Sequence, residues 1–148
     1  MKAVKKTSPK NLQIWKNVCV DFMKAYQDQK VNKMVSYCDS NSTVSFIPLG
    51  DDGKGKIHEL GKGIWNSLIE CFPDIDNTIH SISAEDGKIH CKVSIRGTQE
   101  KDFAGINNRN HGFDSEHIFV FQLDDHQKIQ HLDINWDHQD FVNQLSGN

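Results

Sequence analysis

Apolar positions divide the chain into a helical first half and a β-rich second half. Over residues 9 to 29, Leu12, Trp15, Val18, Cys19, Phe22 and Tyr26 recur at the helical period and form one apolar stripe. Ser8 is placed to cap that helix, and Pro9 occupies the first helical position, where its missing N–H costs nothing. Val31, Met34 and Val35 predict a short second helix within Gln29 to Cys38, followed by a loop at Asp39-Ser40-Asn41-Ser42. Thr43 to Ile47 reads as a short strand ended by Pro48, and Gly50 to Gly55 as a flexible polar loop. A third helix is expected from about Ile57 to Cys71, terminated by Phe72-Pro73, because proline cannot continue a helix.

From there the period changes from 3.6 to 2. Thr78 to Ile82 is one strand, and Asp86-Gly87 is a tight-turn signal. Between Lys88 and Gly97, Ile89, Cys91, Val93 and Ile95 alternate with polar residues. Phe113 to Leu123 and Lys128 to Trp136 are two further strands, and Phe141, Val142 and Leu145 predict a short closing helix. Helices first and an antiparallel meander afterwards make an α+β plan. On the Lys128 to Trp136 strand, His131, Asp133, Asn135 and Asp137 share one face, opposite Leu132, Ile134 and Trp136. Which of those faces turns inward decides where a polar site can lie.

A chain of 148 residues fits one domain, here 1–148 with residues 1–8 as a flexible arm, and needs no disulfide or metal to fold. A net charge of −3 lacks the basic face of a nucleic-acid binder. No stretch approaches the ~20 apolar residues of a membrane helix. Cys19, Cys38, Cys71 and Cys91 are widely spaced among apolar residues, so four reduced, buried thiols and a cytoplasmic location are expected. Eight histidines raise the question of a metal, but none falls in an H-x-H or H-E-x-x-H pattern, and no metal site is expected.

Five local patterns occur in a known order. They are Phe72-Pro73-Asp74; Gly97-Thr98 with Phe103-x-Gly105-Ile106; His117-Ile118-Phe119-Val120-Phe121; Lys128-Ile129 with Asp137; and Gln144-Leu145. In this order the chain resembles the SnoaL-like polyketide cyclases of the nuclear-transport-factor-2-like superfamily. The resemblance implies a cone-shaped α+β fold in which three N-terminal helices pack on a strongly bent antiparallel sheet around a pocket. The sequence departs from the family at Gln99, where a histidine is usual, at the turn Asn107-Asn108-Arg109-Asn110, and at Asp133 in place of a common tryptophan.

The resemblance further implies a cyclase, isomerase or lyase acting without a cofactor beside a carbonyl. Asp137 would be the general acid/base and His117 its partner. Burial in an apolar cavity would raise the Asp137 pKa toward neutrality. The same aspartate also stands where a helix N-cap belongs. Trp15, Phe46, Trp65, Phe103 and Phe119 are candidate cavity walls for a small apolar or aromatic carbonyl-containing ligand, and His131 and Asn135 join them if their face is inward. Alternatives are a non-enzymatic ligand-binding or dimerisation module, or an epoxide-hydrolase-like enzyme using Asp133 as a second carboxylate. An apolar patch at Leu132, Ile134 and Trp136 would also predict a homodimer through the sheet.

Overall fold

The computed structural model describes residues 9–147. The Ser8 cap and the N-terminal arm lie outside the described residues. Helix α1 spans Pro9–Gln27 and α2 spans Val31–Ser36. Strand β1 follows at Cys38–Phe46, then a 3-10 segment Ile47–Gly53 and the short strand β2, Lys54–Lys56. A single π turn, Ile57–Gly61, leads into α3, Lys62–Cys71. Four strands and a helix complete the chain: β3 Asp76–Glu85, β4 Lys88–Thr98, β5 Gly112–Leu123, β6 Ile129–Trp136 and α4 His138–Ser146.

The fold is α+β, with helices packed on one curled, open six-stranded sheet of order β2-β1-β6-β5-β4-β3. All neighbouring pairs are antiparallel except β1 with β6, which run parallel. The expectation of a wholly antiparallel sheet fails at that one pair. The long helical connection between β1 and the meander returns the chain to the far side of β6.

Two stretches expected as loops are β-structure. Asp39 to Ser42 is the first half of β1, with a register shift against β6 between Cys38 and Thr43. Lys54 to Lys56 pairs with Thr43 to Ser45 as an edge strand. Gly53 makes the return between them possible. A Cβ there would stand 2.5 Å from the Phe46 carbonyl oxygen and 2.8 Å from the Leu49 Cβ.

On β6 the apolar face is the inner one. Leu132 and Ile134 are buried within their own chain, so the exposed patch from which a homodimer was expected does not exist. His131, Asp133 and Asn135 face outward. There Thr43 Oγ1 lies 2.7 Å from His131 Nδ1, and His131 Nε2 lies 2.8 Å from Asp133 Oδ1, tying β1 to β6.

The residues of the recurring patterns hold the sheet and helices together. Phe72 packs edge-on against Phe103 and Phe113, and Phe113 against Phe141, with ring centroids 4.8–5.6 Å apart. Asp74 Oδ1 accepts the Thr98 N–H at 2.7 Å. The Gln144 amide accepts the Asp114 N–H at 2.8 Å and donates to the Asp114 carbonyl at 3.1 Å, pairing α4 with the start of β5. The four cysteines are free and buried. Burial raises all four thiol pKa values, to about 12 for Cys38 and Cys91. No described helix is long and apolar enough to cross a membrane.

Candidate functional site

A partly enclosed cavity of about 70 Å³ lies between the inner face of the sheet and the helices. Its apolar walls come from every layer: Leu68 and Trp65 from α3, Phe113 and Phe119 from β5, Ile134 from β6 and Phe141 from α4. Phe46 closes the β1 side, edge-on to Trp65 with centroids 5.8 Å apart. Among the described residues, the lining side chains able to hydrogen-bond are Tyr26, Trp65, His117, Trp136 and His138. Among the described residues no carboxylate, lysine or arginine reaches the lining, so they give the cavity no fixed charge.

Phe103 and Ala104 reach the cavity from the segment between β4 and β5. That segment is a small hairpin rather than an open loop, with Phe103 and Ile106 exchanging both backbone hydrogen bonds at 3.0 and 2.7 Å. Ala104 and Gly105 turn it with positive φ of 48° and 79°. Gln99, fully buried, holds it from beneath: its Nε2 donates to the carbonyls of Lys101 and Ile106 at 3.0 and 2.9 Å. Gln99 Oε1 has no partner among the described residues. The side chain that departs from the family pattern is thus an anchor for this hairpin.

His117 sits on the inner face of β5 and is only 8% exposed. Its ring stacks on Trp136, centroids 5.4 Å apart and planes 18° from parallel. Nδ1 lies 3.3 Å from the Ser115 carbonyl and 3.4 Å from the Ser115 hydroxyl. With Nδ1–H donating to the Ser115 carbonyl, Nε2 keeps its lone pair. Burial pushes the His117 pKa from its usual 6.5 down to about 4, opposed by the bond to Ser115. The ring is therefore neutral at pH 7.

Asp137 does not share this cavity. It is exposed, and its Oδ1 accepts the Asp140 N–H at 3.0 Å as the N-cap of α4. The period-2 pattern explains the misplacement. Asp137 follows the polar face of β6, and the strand ends there, so its carboxylate turns to the helix rather than inward. Of the other expected wall residues, Phe46, Trp65, Phe103 and Phe119 line the cavity. Trp15 is buried in the core away from it, with Nε1 unpartnered among the described residues. His131 and Asn135 lie on the outer face and do not line it.

Three hydrogen-bonding groups of the lining were not among the expected site residues: Tyr26, which reads as part of the α1 apolar stripe, Trp136 and His138. Trp136 reads as part of an apolar strand face, yet its indole is a wall shared by two imidazoles. His138 reads as the first residue of a helix. Its Nδ1 accepts the Trp136 Nε1–H at 3.2 Å, and its ring stacks on Phe141 with centroids 5.9 Å apart. The available signal was position. The first residue of α4 is separated by Asp137 alone from the end of β6, a strand whose inner face lines the cavity. Among the described residues, no three His, Cys, Asp or Glu side chains converge as metal ligands would.

No protein-family model and no curated protein matches this sequence. Solved structures do match in fold. A proposed SnoaL-like polyketide cyclase from Jannaschia sp. CCS1 superimposes with a TM-score of 0.82 at 14% identity, covering 98% of this chain and 99% of that one. IdmH, a proposed polyketide cyclase from Streptomyces antibioticus, gives 0.75 at 17% identity over 89% and 98%. The epoxide hydrolase/cyclase-like enzyme SalBIII gives 0.71 at 16% identity over 88% and 96%. The chain has the SnoaL-like, nuclear-transport-factor-2-like fold.

Proposed function

We propose that this chain takes a small, neutral, mainly aromatic or apolar carbonyl compound into the cavity and performs acid–base chemistry next to the carbonyl, with His117 as the proton acceptor. The observation that carries the reading is a buried, neutral imidazole with an open Nε2 in a mainly apolar cavity. An uncharged lining disfavours a charged ligand, whose desolvation nothing would offset. An imidazole held at about 4 is a weak base in the empty site. It strengthens as negative charge develops on a nearby oxygen, because the resulting ion pair forms in a dry, low-dielectric space.

The cavity volume limits the ligand. About 70 Å³ is half of the ~150 Å³ of an engineered cavity that admits benzene, and below the ~300–1,000 Å³ of drug-sized sites. A ring therefore enters only as the wall yields.

The test is proton exchange at carbon. 1-Indanone and cyclohex-2-enone are incubated with the protein in D2O, and deuterium uptake beside the carbonyl is followed by NMR. Uptake above the buffer rate, reduced ~10²–10⁴-fold in His117→Gln, is the expected result for acid–base catalysis. Uptake at the buffer rate with both ketones contradicts it.

A second reading is a binding module that does no chemistry. It is favoured by the placement of Asp137, the residue that the resemblance makes catalytic, as a helix cap. This reading predicts saturable binding without exchange. A hydrolase of the epoxide type is disfavoured, because it would need a carboxylate to activate water and none of the described residues lining the cavity supplies one.

A further inference from the structure

We propose that His138 is the second working group of the cavity: a fixed Nε2–H donor that holds the ligand's carbonyl oxygen while His117 Nε2 accepts a proton from the neighbouring atom. The inference rests on the cavity reading above and gives that site its ligand class. The ligand is a neutral ring compound with a carbonyl acceptor and a transferable hydrogen on an adjacent atom.

Trp136 sets the chemistry of both imidazoles. Its Nε1–H can only donate, so the His138 nitrogen facing it, Nδ1, must be the acceptor. The neutral His138 ring therefore carries its hydrogen on Nε2. The flat face of the same indole stacks on His117, whose Nδ1–H is taken up by Ser115. One ring thus presents a lone pair and the other an N–H. Neither Nε2 is bonded to a described residue, and both residues line the same cavity. His138 is clamped between Trp136, edge-on at 5.9 Å and 72°, and Phe141, stacked at 23°. Such packing fixes the ring before a ligand arrives.

The step balances without a co-reactant. The C–H bond beside the carbonyl breaks, and its proton moves to His117 Nε2. The electron pair shifts onto the carbonyl oxygen, where the His138 N–H hydrogen-bonds it without being transferred. The proton then returns from His117 to carbon, at the original position or further along a conjugated system. A neutral imidazole serving as such a donor avoids placing a charge in an apolar cavity.

Three one-ring probes test the pairing by NMR titration: 2-pyridone, which has an N–H beside a C=O; pyridine, an acceptor alone; and toluene, neither. The proposal expects 2-pyridone to bind about tenfold or more tightly than toluene, in line with a buried hydrogen bond. His138→Phe should remove that advantage and leave toluene unchanged. Trp136→Phe keeps a ring but deletes the N–H, and ring ¹⁵N shifts should then show His138 losing its Nε2–H preference. If toluene binds as tightly as 2-pyridone, the pairing is wrong while the cavity stands. If none of the three binds, both are wrong. Should His138→Phe fail to fold, the ¹⁵N tautomer of His138 in the native protein decides: an Nδ1–H form overturns the proposal.

Discussion

At the scale of single residues, Asp137 and His117 separate cleanly. As an N-cap, Asp137 replaced by Ala should cost ~0.5–2 kcal/mol, and replaced by Asn very little, since Asn caps about as well. Urea unfolding of the two variants checks this, and ligand affinity should be unaffected by either. His117 should report pH. Its folded-state pKa, about 4, is depressed below the ordinary 6.5, so the unfolded chain binds its proton first on acidification. Its contribution is therefore intact above pH 6.5 and lost as pH falls toward 4, amounting to about 3 kcal/mol over that window. Asp74 and Asp76, whose pKa values are lowered by hydrogen bonds from Thr98 and Gln27, also lose stability in acid. The difference between native protein and His117→Gln at pH 7 and pH 4 isolates the histidine. Equal acid sensitivity in both would contradict the burial of a neutral ring. The inward placement of His117 was legible, because it shares the period-2 face of Phe119 and Phe121. His138 was not, because a helix-start residue has no period that points it anywhere.

At the scale of elements, the sequence patterns located the helices and the meander, and missed what pairing creates. Asp39 to Ser42 has loop composition and is the irregular stretch of β1, held extended between the pairings of Cys38 and of Thr43 to Phe46 with β6. Lys54 to Lys56 is too short for alternation to be visible, and only the Gly53 return brings it against β1. Two glycine substitutions test this. Gly53→Ala drives a methyl into the Phe46 carbonyl and should cost ~1–3 kcal/mol. Gly63 lies inside α3 with open space where a Cβ would go. Gly63→Ala should stabilise by ~0.5–1 kcal/mol through helix propensity. Thermal unfolding of the pair should move in opposite directions.

At the scale of the whole molecule, the resemblance predicted the fold better than the site, for a physical reason. Phe72, Asp74, Gly97, Asp137, Gln144 and Leu145 carry the recognisable spacing, and each closes, caps or packs the cone. Their contacts serve the fold rather than the cavity. The cavity instead draws side chains from helices, strands and a hairpin far apart in sequence, so no local pattern encodes it. The buried thiols belong to the same core. Native protein should show few groups reactive to a thiol reagent and denatured protein four, matching the free, buried cysteines. On the proposed function, the cavity, and not the polar outer face of the sheet, is where a ligand binds. Backbone and ring chemical shifts during titration with 1-indanone test it most directly. Perturbations centred on His117, Phe119, Trp65 and His138 are expected. Shifts confined to Thr43, His131 and Asp133 would place the ligand on the outer face and contradict it.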